Sequence, residues 1–329
     1  MTSSTALAAR IPAWAAVLTM AFGPALADVH KCLDAQRKVI YQDKPCQELT
    51  TAELSPALSQ LNPEAQHPHL LWKLNSNNKA FYLLASLSFG TNGMYPLPES
   101  IMDAFSSSSV LVIANELDNA DGLPVTGRYA DGSTLQSHVK PATWRRTLEV
   151  AKALGVAEEA LAPQKPWRAA LTLKNAAIHK AGYDSQLTLG ATFVKAAGSV
   201  KPIVELNSLE EQAKHYDGMT DSEQETLLLE ALYAADPRTG YFQSLLDAWR
   251  QGDGAALVLA ARRASNLLPP SQKPATDWEK ARNAALAGKI DEMAADGRVY
   301  FVVIDAKRVV GEDGILALLQ QKGFKAVQQ

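Results

Sequence analysis

The order of apolar and polar residues predicts a strand, a short helix and a second strand in succession. A continuous apolar run starts at Phe81 and is bounded by glycine, which is typical of a fully buried strand. Pro98 begins a short helix, and the run rich in Val and Ile from Val110 predicts a second buried strand. Each strand therefore ends in a polar tip, the first at Ser88 and the second at Glu116.

Helices dominate the pattern that follows. Apolar positions recur at helical spacing from Thr143 to Leu154 and from Pro166 to Gly182. Further helices are predicted over residues 220–232 and 242–249, from about residue 277, and over 314–321, with strands near residues 81, 110, 202, 299 and 324. We therefore predict the α/β class, with a central, mostly buried mixed β-sheet flanked by helices.

The first 27 residues have the pattern of a secretory signal peptide. Arg10 precedes an apolar run over residues 11–22, and small residues at 25–27 form a cleavage site. A membrane anchor is the alternative, but the run is shorter than the roughly 20 apolar residues that span a bilayer. We expect cleavage before Asp28 and export to the periplasm.

The two cysteines of the chain, Cys32 and Cys46, follow this signal closely. An oxidising compartment would let them pair, and closing a loop of about 15 residues stabilises a fold by roughly 3 kcal/mol. Metal binding by two thiols alone is the weaker alternative. We predict a small disulfide-stapled β-hairpin with strands at Val29 and at residues 39–41 and a turn over residues 34–37. The segment is similar to a short N-terminal module of exported bacterial proteins with the pattern K-C-x-D-x-x-G-K-V-x-Y-S-D-x-P-C.

Composition and charge limit the remaining possibilities. The stretch before residue 70 is rich in Ser, Pro, Gln and Asn, as linkers are, and its His67 and His69 are expected to be solvated rather than metal ligands. A net charge of −3 gives no basic surface for nucleic acid. No later run would span a membrane once the signal is cleaved. The predicted organisation is a signal peptide at 1–27, the cysteine module at 28–50, a linker at 51–69 and one domain at 70–329.

The main domain resembles the TraB/GumN family (TraB/PrgY/GumN, TIKI-like). The string Y-L-L-A-S-L-S-F-G from Tyr82 matches the family motif Y-L-x-G-T-x-H-x-G, and Y-P-L-P follows from Tyr95. Later landmarks recur in order over nearly all of residues 70–329: K-P-W from Lys165, K-P-I-V-E-L-N from Lys201, A-W-x-x-G-D from Ala248, A-R-N from Ala281 and D-A-K-R-V-V-G from Asp305, where the family has G-A-G-H-L-V-G.

The resemblance also identifies what this chain lacks. The family's two motif histidines are thought to bind a divalent metal, and this chain has Ser88 and Arg308 at those positions. Three family acids are replaced as well, which leaves Glu116, Arg282 and Asn283 as the polar candidates of a degenerate site. Catalytic metal sites normally rest on about three protein ligands, so we expect no metal cofactor.

Arg308 suggests what replaced the metal. A guanidinium stays charged and can pair bidentately with a carboxylate, so we expect Arg308 to bind Glu116 as a fixed internal cation. The alternative is a solvated Arg308 at a strand end. A third hypothesis makes Ser88 a nucleophile, although no histidine and acid accompany it in the sequence. We expect the tips at Ser88, Glu116 and Arg308 to converge on one cleft.

Two functions follow from these expectations. The first is an exported, non-catalytic pseudoenzyme with a binding or regulatory role in the bacterial envelope. Its ligand would be a peptide, a protein or a small anion bound near Lys307 and Arg308. The alternative is a metal-dependent hydrolase, similar to a peptidase and using a cation such as zinc or manganese, with ligands other than those aligned here.

Overall fold

The computed structural model describes residues 30–33, 39–42, 68–76, 79–116, 127–198, 200–268 and 276–329. The chain forms two compact units, Met1–Asn62 and Pro63–Gln329. The predicted signal peptide and Cys46 lie outside the described residues, so cleavage and the disulfide stay predictions. Within the described ranges, no helix has the length and apolar character that crossing a membrane requires.

In the first unit the structure describes two short strands, β1 (His30–Leu33) and β2 (Val39–Gln42). They pair antiparallel, with His30 opposite Gln42 and Leu33 opposite Val39.

The second unit is built on a mixed sheet of six strands, which agrees with the predicted α/β class. The strands are β3 (Leu71–Ser76), β4 (Lys79–Ser86), β5 (Val110–Ile113), β6 (Ile203–Glu205), β7 (Tyr300–Asp305) and β8 (Lys325–Gln328). Their order is β6-β5-β7-β4-β3-β8. The pairs β6–β5, β5–β7 and β7–β4 are parallel, and β4–β3 and β3–β8 are antiparallel.

The central strands explain why their sequence is continuously apolar. All residues of β5 and β7 are buried, because helices cover both faces of this part of the sheet. Phe301 of β7 packs against Phe105 and Phe193, with ring centroids 5.5 and 4.8 Å away. All five predicted strands are present. The sixth, β3, was not predicted, because Lys73 and Asn75 interrupt its apolar pattern with exposed polar groups.

Twelve helices surround the sheet in the part of the second unit that the structure describes. In chain order they are α1 (Glu99–Ser106), α2 (Pro141–Leu154), α3 (Glu158–Leu161), α4 (Pro166–Lys180), α5 (Leu189–Ala197), α6 (Leu209–Asp217), α7 (Asp221–Ala235), α8 (Tyr241–Arg250), α9 (Gly254–Leu267), α10 (Thr276–Met293), α11 (Ala306–Val309) and α12 (Ile315–Gln321). A capping box starts α7: the Thr220 side chain accepts from the Glu223 amide, and the Glu223 carboxylate accepts from the Thr220 amide.

Three details differ from the sequence analysis. Helix α5, which begins at Leu189 with Thr188 as its N-cap, was not predicted. Helix α9 was not predicted. His69 was expected to be solvated but is buried, and its amide and carbonyl are bound by Gln329 and Gln328 of the C-terminal strand region. The last residue of the predicted linker therefore belongs to the folded domain.

The structure gives a physical reason for the A-W-x-x-G-D string at the end of α8. The Trp249 indole donates a hydrogen bond to the Ala85 carbonyl (2.8 Å), which anchors β4 to the helix. Gly252 has φ +65°, and a Cβ at this position would lie 1.6 Å from the Pro68 carbonyl oxygen. The Asp253 side chain then caps α9 by accepting from the Ala256 amide (2.9 Å). The string ends one helix and starts the next.

We expect Gly252→Ala to lower the free energy of unfolding by about 2–3 kcal/mol, because it combines left-handed backbone strain with a backbone clash. Gly155→Ala is the matched control: its φ is +77°, but a Cβ there meets nothing within 4 Å. The control should cost only about 1 kcal/mol. Urea denaturation measures both, and equal losses would show that the contact with Pro68 adds nothing.

Candidate functional site

The polar tips predicted from the sequence meet at one edge of the sheet. Strands β4, β5 and β7 are neighbouring and parallel, so their carboxyl ends lie together. A cleft of about 300 Å³ opens there, and Ser88, Glu116 and Asp305 are among the residues that line it. Such an edge, where strand order reverses, is the usual place for a ligand in an open α/β sheet.

Arg308 binds Glu116, as the sequence analysis expected. Its Nε donates to Glu116 Oε1 at 2.7 Å. Arg282 of helix α10 binds the same carboxylate, through Nη2 to Oε1 (3.0 Å) and Nη1 to Oε2 (3.2 Å). The side chains of Arg308 and Arg282 are only 9% and 8% exposed, and Glu116 is 16% exposed. Arg308 is therefore part of a buried ion-pair network and not a solvated residue at a strand end.

A second carboxylate, Glu279, was missed in the sequence analysis. Arg308 Nη1 donates to Glu279 Oε2, and to Asn283 Oδ1 at 3.3 Å. Asn283 in turn donates to the Asp313 carbonyl (3.0 Å). Glu279, Arg282 and Asn283 are spaced at i, i+3 and i+4, which places them on one face of α10. This spacing was the signal that could have identified Glu279 from the sequence.

The charges of this network settle the ionisation of its members. Burial alone would lower the pKa of the Arg308 guanidinium, but the Glu116 and Glu279 carboxylates outweigh burial and raise that pKa above its ordinary value. Burial, followed by the Glu279 charge, raises the pKa of the nearby Tyr216 hydroxyl to about 12. Arg308 is thus a permanent cation between two carboxylates, and Tyr216 stays neutral.

The backbone of the loop that carries Glu116 is held by its neighbour Asn115. The Asn115 carbonyl accepts hydrogen bonds from Asn207 Nδ2 (2.7 Å), Gln212 Nε2 (2.8 Å) and Arg282 Nη2 (3.1 Å). The Asn115 side chain donates to Glu205 Oε2 (2.9 Å). Asn207 thus fixes the loop through its side-chain amide.

Lys307 and Arg308, which were predicted together as a binding pair, face different surroundings. Arg308 is buried in the ion-pair network, whereas Lys307 is exposed and lines a separate cavity with Trp167 and Tyr241. The Asp305 side chain caps helix α11 by accepting from the Lys307 amide (2.9 Å). Of the two, Lys307 is the one that a ligand can reach.

Ser88 lies in the cleft without the partners that a nucleophile needs. It is buried, and no histidine is among the described residues that line either pocket containing it. Asp305, the acid that lines both pockets, is engaged in capping α11. A catalytic triad requires a positioned histidine and acid beside the serine, so the geometry gives no support to a triad at Ser88.

The donor set does not fit a divalent metal. Throughout the described parts of the chain, no group of three or more His, Cys, Asp or Glu side chains is arranged to hold a metal ion. Glu116, which lines the cleft together with Ser88, already accepts hydrogen bonds from Arg282 and Arg308. A cation at that carboxylate would have to displace two guanidinium groups.

One aromatic pair borders the network. The rings of His215 and Trp278 are stacked, with centroids 3.8 Å apart and planes 6° from parallel. Burial lowers the pKa of His215 below 6.5, and the charge of Arg282 acts in the same direction. The charges of Glu279 and Glu223 partly oppose this shift. His215 Nε2 has no hydrogen-bond partner among the described groups. A neutral imidazole is the form that this setting favours.

This gives a pH prediction. Because the folded-state pKa of His215 is depressed, its contribution to stability is present above the unfolded-state pKa near 6.5 and is lost as pH falls through the folded value. When the pH is lowered from 7 to 5, we expect the melting temperature of His215→Phe to fall less than that of the unchanged protein. The control variant His179→Gln, at an exposed position, should show the same fall as the unchanged protein. Parallel pH profiles for all three would contradict the assignment.

Comparison with known proteins gives two findings. The sequence model described as the TraB/PrgY/gumN family matches residues 70–328. An uncharacterised protein of Escherichia coli (strain K12), YbaP, is 21% identical over 136 residues, which cover 41% of this chain and 51% of YbaP. The match thus spans about half the length of that relative. No solved structure matches the chain.

Proposed function

The chain belongs to the TraB/PrgY/gumN family, and we propose that it is a non-catalytic member whose cleft binds a ligand without cleaving it. The matched region covers the whole described sheet and its helices. Fold membership alone does not carry an activity, so the proposal depends on the site.

One observation carries the proposal: the guanidinium of Arg308 lies between Glu116 and Glu279. Arg308 stands at the second histidine of the family motif, so the position that would supply a metal ligand supplies a cation instead. The positive charge of a buried guanidinium disfavours a divalent cation beside it. Ser88, at the position of the first histidine, is a far poorer ligand for zinc or manganese than an imidazole.

Arg308 also offers a structural substitute for the metal. A bound cation would hold the loop after β5 against helix α10, and Arg308 makes the same connection by contacting Glu116 on one side and Glu279 with Asn283 on the other. Arg282 reinforces the link through Glu116 and the Asn115 carbonyl. The cleft can then keep its shape without metal-dependent catalysis.

We place this protein in the bacterial envelope as part of the same proposal. The support is the signal-like sequence at residues 1–27 and the pair Cys32 and Cys46, which an oxidising compartment would allow to form a disulfide. A binding or regulatory role fits a chain that keeps the family fold but lacks the ligands of a metal centre.

Hydrolysis assays separate this proposal from the alternative of a metal-dependent hydrolase. The purified chain is incubated with a mixture of peptides, with added zinc or manganese and with a chelator, and cleavage is followed by mass spectrometry. We expect no cleavage above that of a protein-free blank in any condition. Cleavage that a chelator abolishes and zinc or manganese restores would establish a working hydrolase.

A further inference from the structure

A second cavity, of about 210 Å³, lies between helices α4, α7 and α9. It exists because small side chains face each other there: the lining includes Ala170, Ala231, Ala234, Ala261 and Ala264. For comparison, a protein cavity of about 150 Å³ accommodates benzene. The space therefore suits one aromatic ring, or an aliphatic group of similar size, with a small polar group attached.

The aromatic part of the cavity wall is held in place by its own contacts. Trp167 donates its indole N–H to Asp217 Oδ1 (2.8 Å), and its ring lies 5.6 Å from that of Tyr216. Tyr241, on the other side, packs edge-on against Phe242, with centroids 5.3 Å apart. A wall fixed in this way loses little entropy when a ligand binds.

Two ammonium groups stand where this cavity joins a smaller pocket. Lys174 and Lys307 line both, and the smaller pocket continues to Ser88 at the cleft. Lys307 is exposed and Lys174 is half-buried, so solvent and ligand reach both. Positive groups beside an apolar wall are the usual arrangement for a ligand with one anionic end.

Two carboxylates also face these pockets, and both have partners. Asp305 caps helix α11, and Glu230 accepts a hydrogen bond from Ser265. Burial raises the pKa of Glu230, although Ser265 and the charge of Lys307 partly oppose it. The positive charge of the two lysines is offset by Asp305 and only in part by Glu230, whose neutral form burial favours, and Glu230 can still accept a hydrogen bond from a ligand that carries an ammonium group.

We propose that this cavity binds a small carboxylate on an apolar group the size of one aromatic ring, with the carboxylate at Lys174 and Lys307 and the apolar group beside Trp167. A simple carboxylic acid and an apolar α-amino acid share this chemistry. The second would add an ammonium group facing Glu230. The inference rests on the proposed binding role and gives it a ligand class, but its test uses no metal and no hydrolysis.

Isothermal titration of the full purified chain tests it with four related probes: 3-phenylpropionate, L-phenylalanine, 3-phenylpropanamide and 2-phenylethylamine. At least one of the two carboxylates should bind with a dissociation constant of about 1 mM or tighter, and the amide and the amine roughly tenfold more weakly or not at all. The carboxylate that binds more tightly shows whether the ligand is a simple carboxylic acid or an α-amino acid. Equal binding of the amide or the amine, or no binding of either carboxylate, would overturn the proposal.

Variants locate the site. Lys174→Met combined with Lys307→Met should weaken carboxylate binding about tenfold or more, and Ala261→Leu, which fills the cavity and keeps both lysines, should do the same. Lys152→Met, on the exposed face of α2, is the matched control and should bind like the unchanged chain. Melting curves check that each variant folds. Unchanged affinity in both cavity variants would place the ligand elsewhere and overturn the assignment.

Discussion

Replacing Arg308 with methionine is expected to lower the free energy of unfolding by about 3 kcal/mol, as loss of one partner of a buried ion pair does. Methionine keeps the unbranched apolar stem of the side chain but leaves Glu116 and Glu279 without the guanidinium that joins them. Glu116 retains Arg282, and Glu279 is 44% exposed, so the loss should lie at the lower end for buried pairs. Urea denaturation at neutral pH measures it.

A double-mutant cycle with Glu116→Gln isolates the pair itself. If Arg308 and Glu116 act together, the double variant should lose less stability than the sum of the single variants, by about 1–3 kcal/mol. Arg298→Met is the matched control, because Arg298 forms an ion pair with Asp296 in which both side chains are largely exposed. Such a pair contributes less than about 1 kcal/mol. Equal losses at Arg308 and Arg298 would remove the argument for a structural cation.

Replacing Trp249 with alanine is expected to cost about 3–5 kcal/mol, the usual range for a buried tryptophan. Trp249 is 5% exposed, and its indole satisfies the Ala85 carbonyl at the end of β4, close to the cleft. The phenylalanine variant separates the two contributions. It keeps most of the apolar contact but leaves the buried carbonyl unpaired, which should cost about 1–3 kcal/mol.

These two variants also test whether the anchor shapes the cleft. Thermal and urea unfolding give the stability, and amide hydrogen exchange of β4 reports on local opening near Ala85. Faster exchange in β4 than in β8 is expected for Trp249→Phe. Stability equal to that of the unchanged protein would show that the hydrogen bond contributes nothing measurable.

The sheet could be predicted because its strands are buried on both faces. Continuous apolar runs such as those from Phe81 and from Tyr300 have no other stable place in a chain of this composition. The strand β3, which lies between β4 and β8, was not predicted. Its Lys73 faces solvent, so in the sequence it resembles a loop residue. A strand that is buried on one face alone has a weaker apolar pattern than one that is buried on both faces.

The pair of Arg308 and Glu116 was predictable although 192 residues separate them. Both residues follow buried parallel strands, and the carboxyl ends of neighbouring parallel strands meet at one edge. The order of strands could not be derived from the sequence, but β5 and β7 prove to be neighbours. Residues just after strand ends are therefore the ones whose tertiary contacts a sequence can indicate.

The contribution of helix α10 was harder to predict. The docking of a helix depends on the shapes of two surfaces, so the sequence could show that Glu279 shares a face with Arg282 and Asn283 but not that this face lies against Arg308. The separation of Lys307 from Arg308 has a simpler cause: successive residues on a helix point about 100° apart. Both residues lie on the short helix α11, and only one of them can face the network.

The central claim is that a guanidinium has replaced the metal of the family site, and the metal content of the purified chain tests it most directly. The protein is incubated with zinc and with manganese, desalted and submitted to elemental analysis, and melting curves are recorded with each metal and with a chelator. We predict far less than one metal per chain and no change in melting temperature. Stoichiometric metal with a melting shift of roughly 5 °C or more would contradict the claim, because a ligand that binds the folded state must stabilise it.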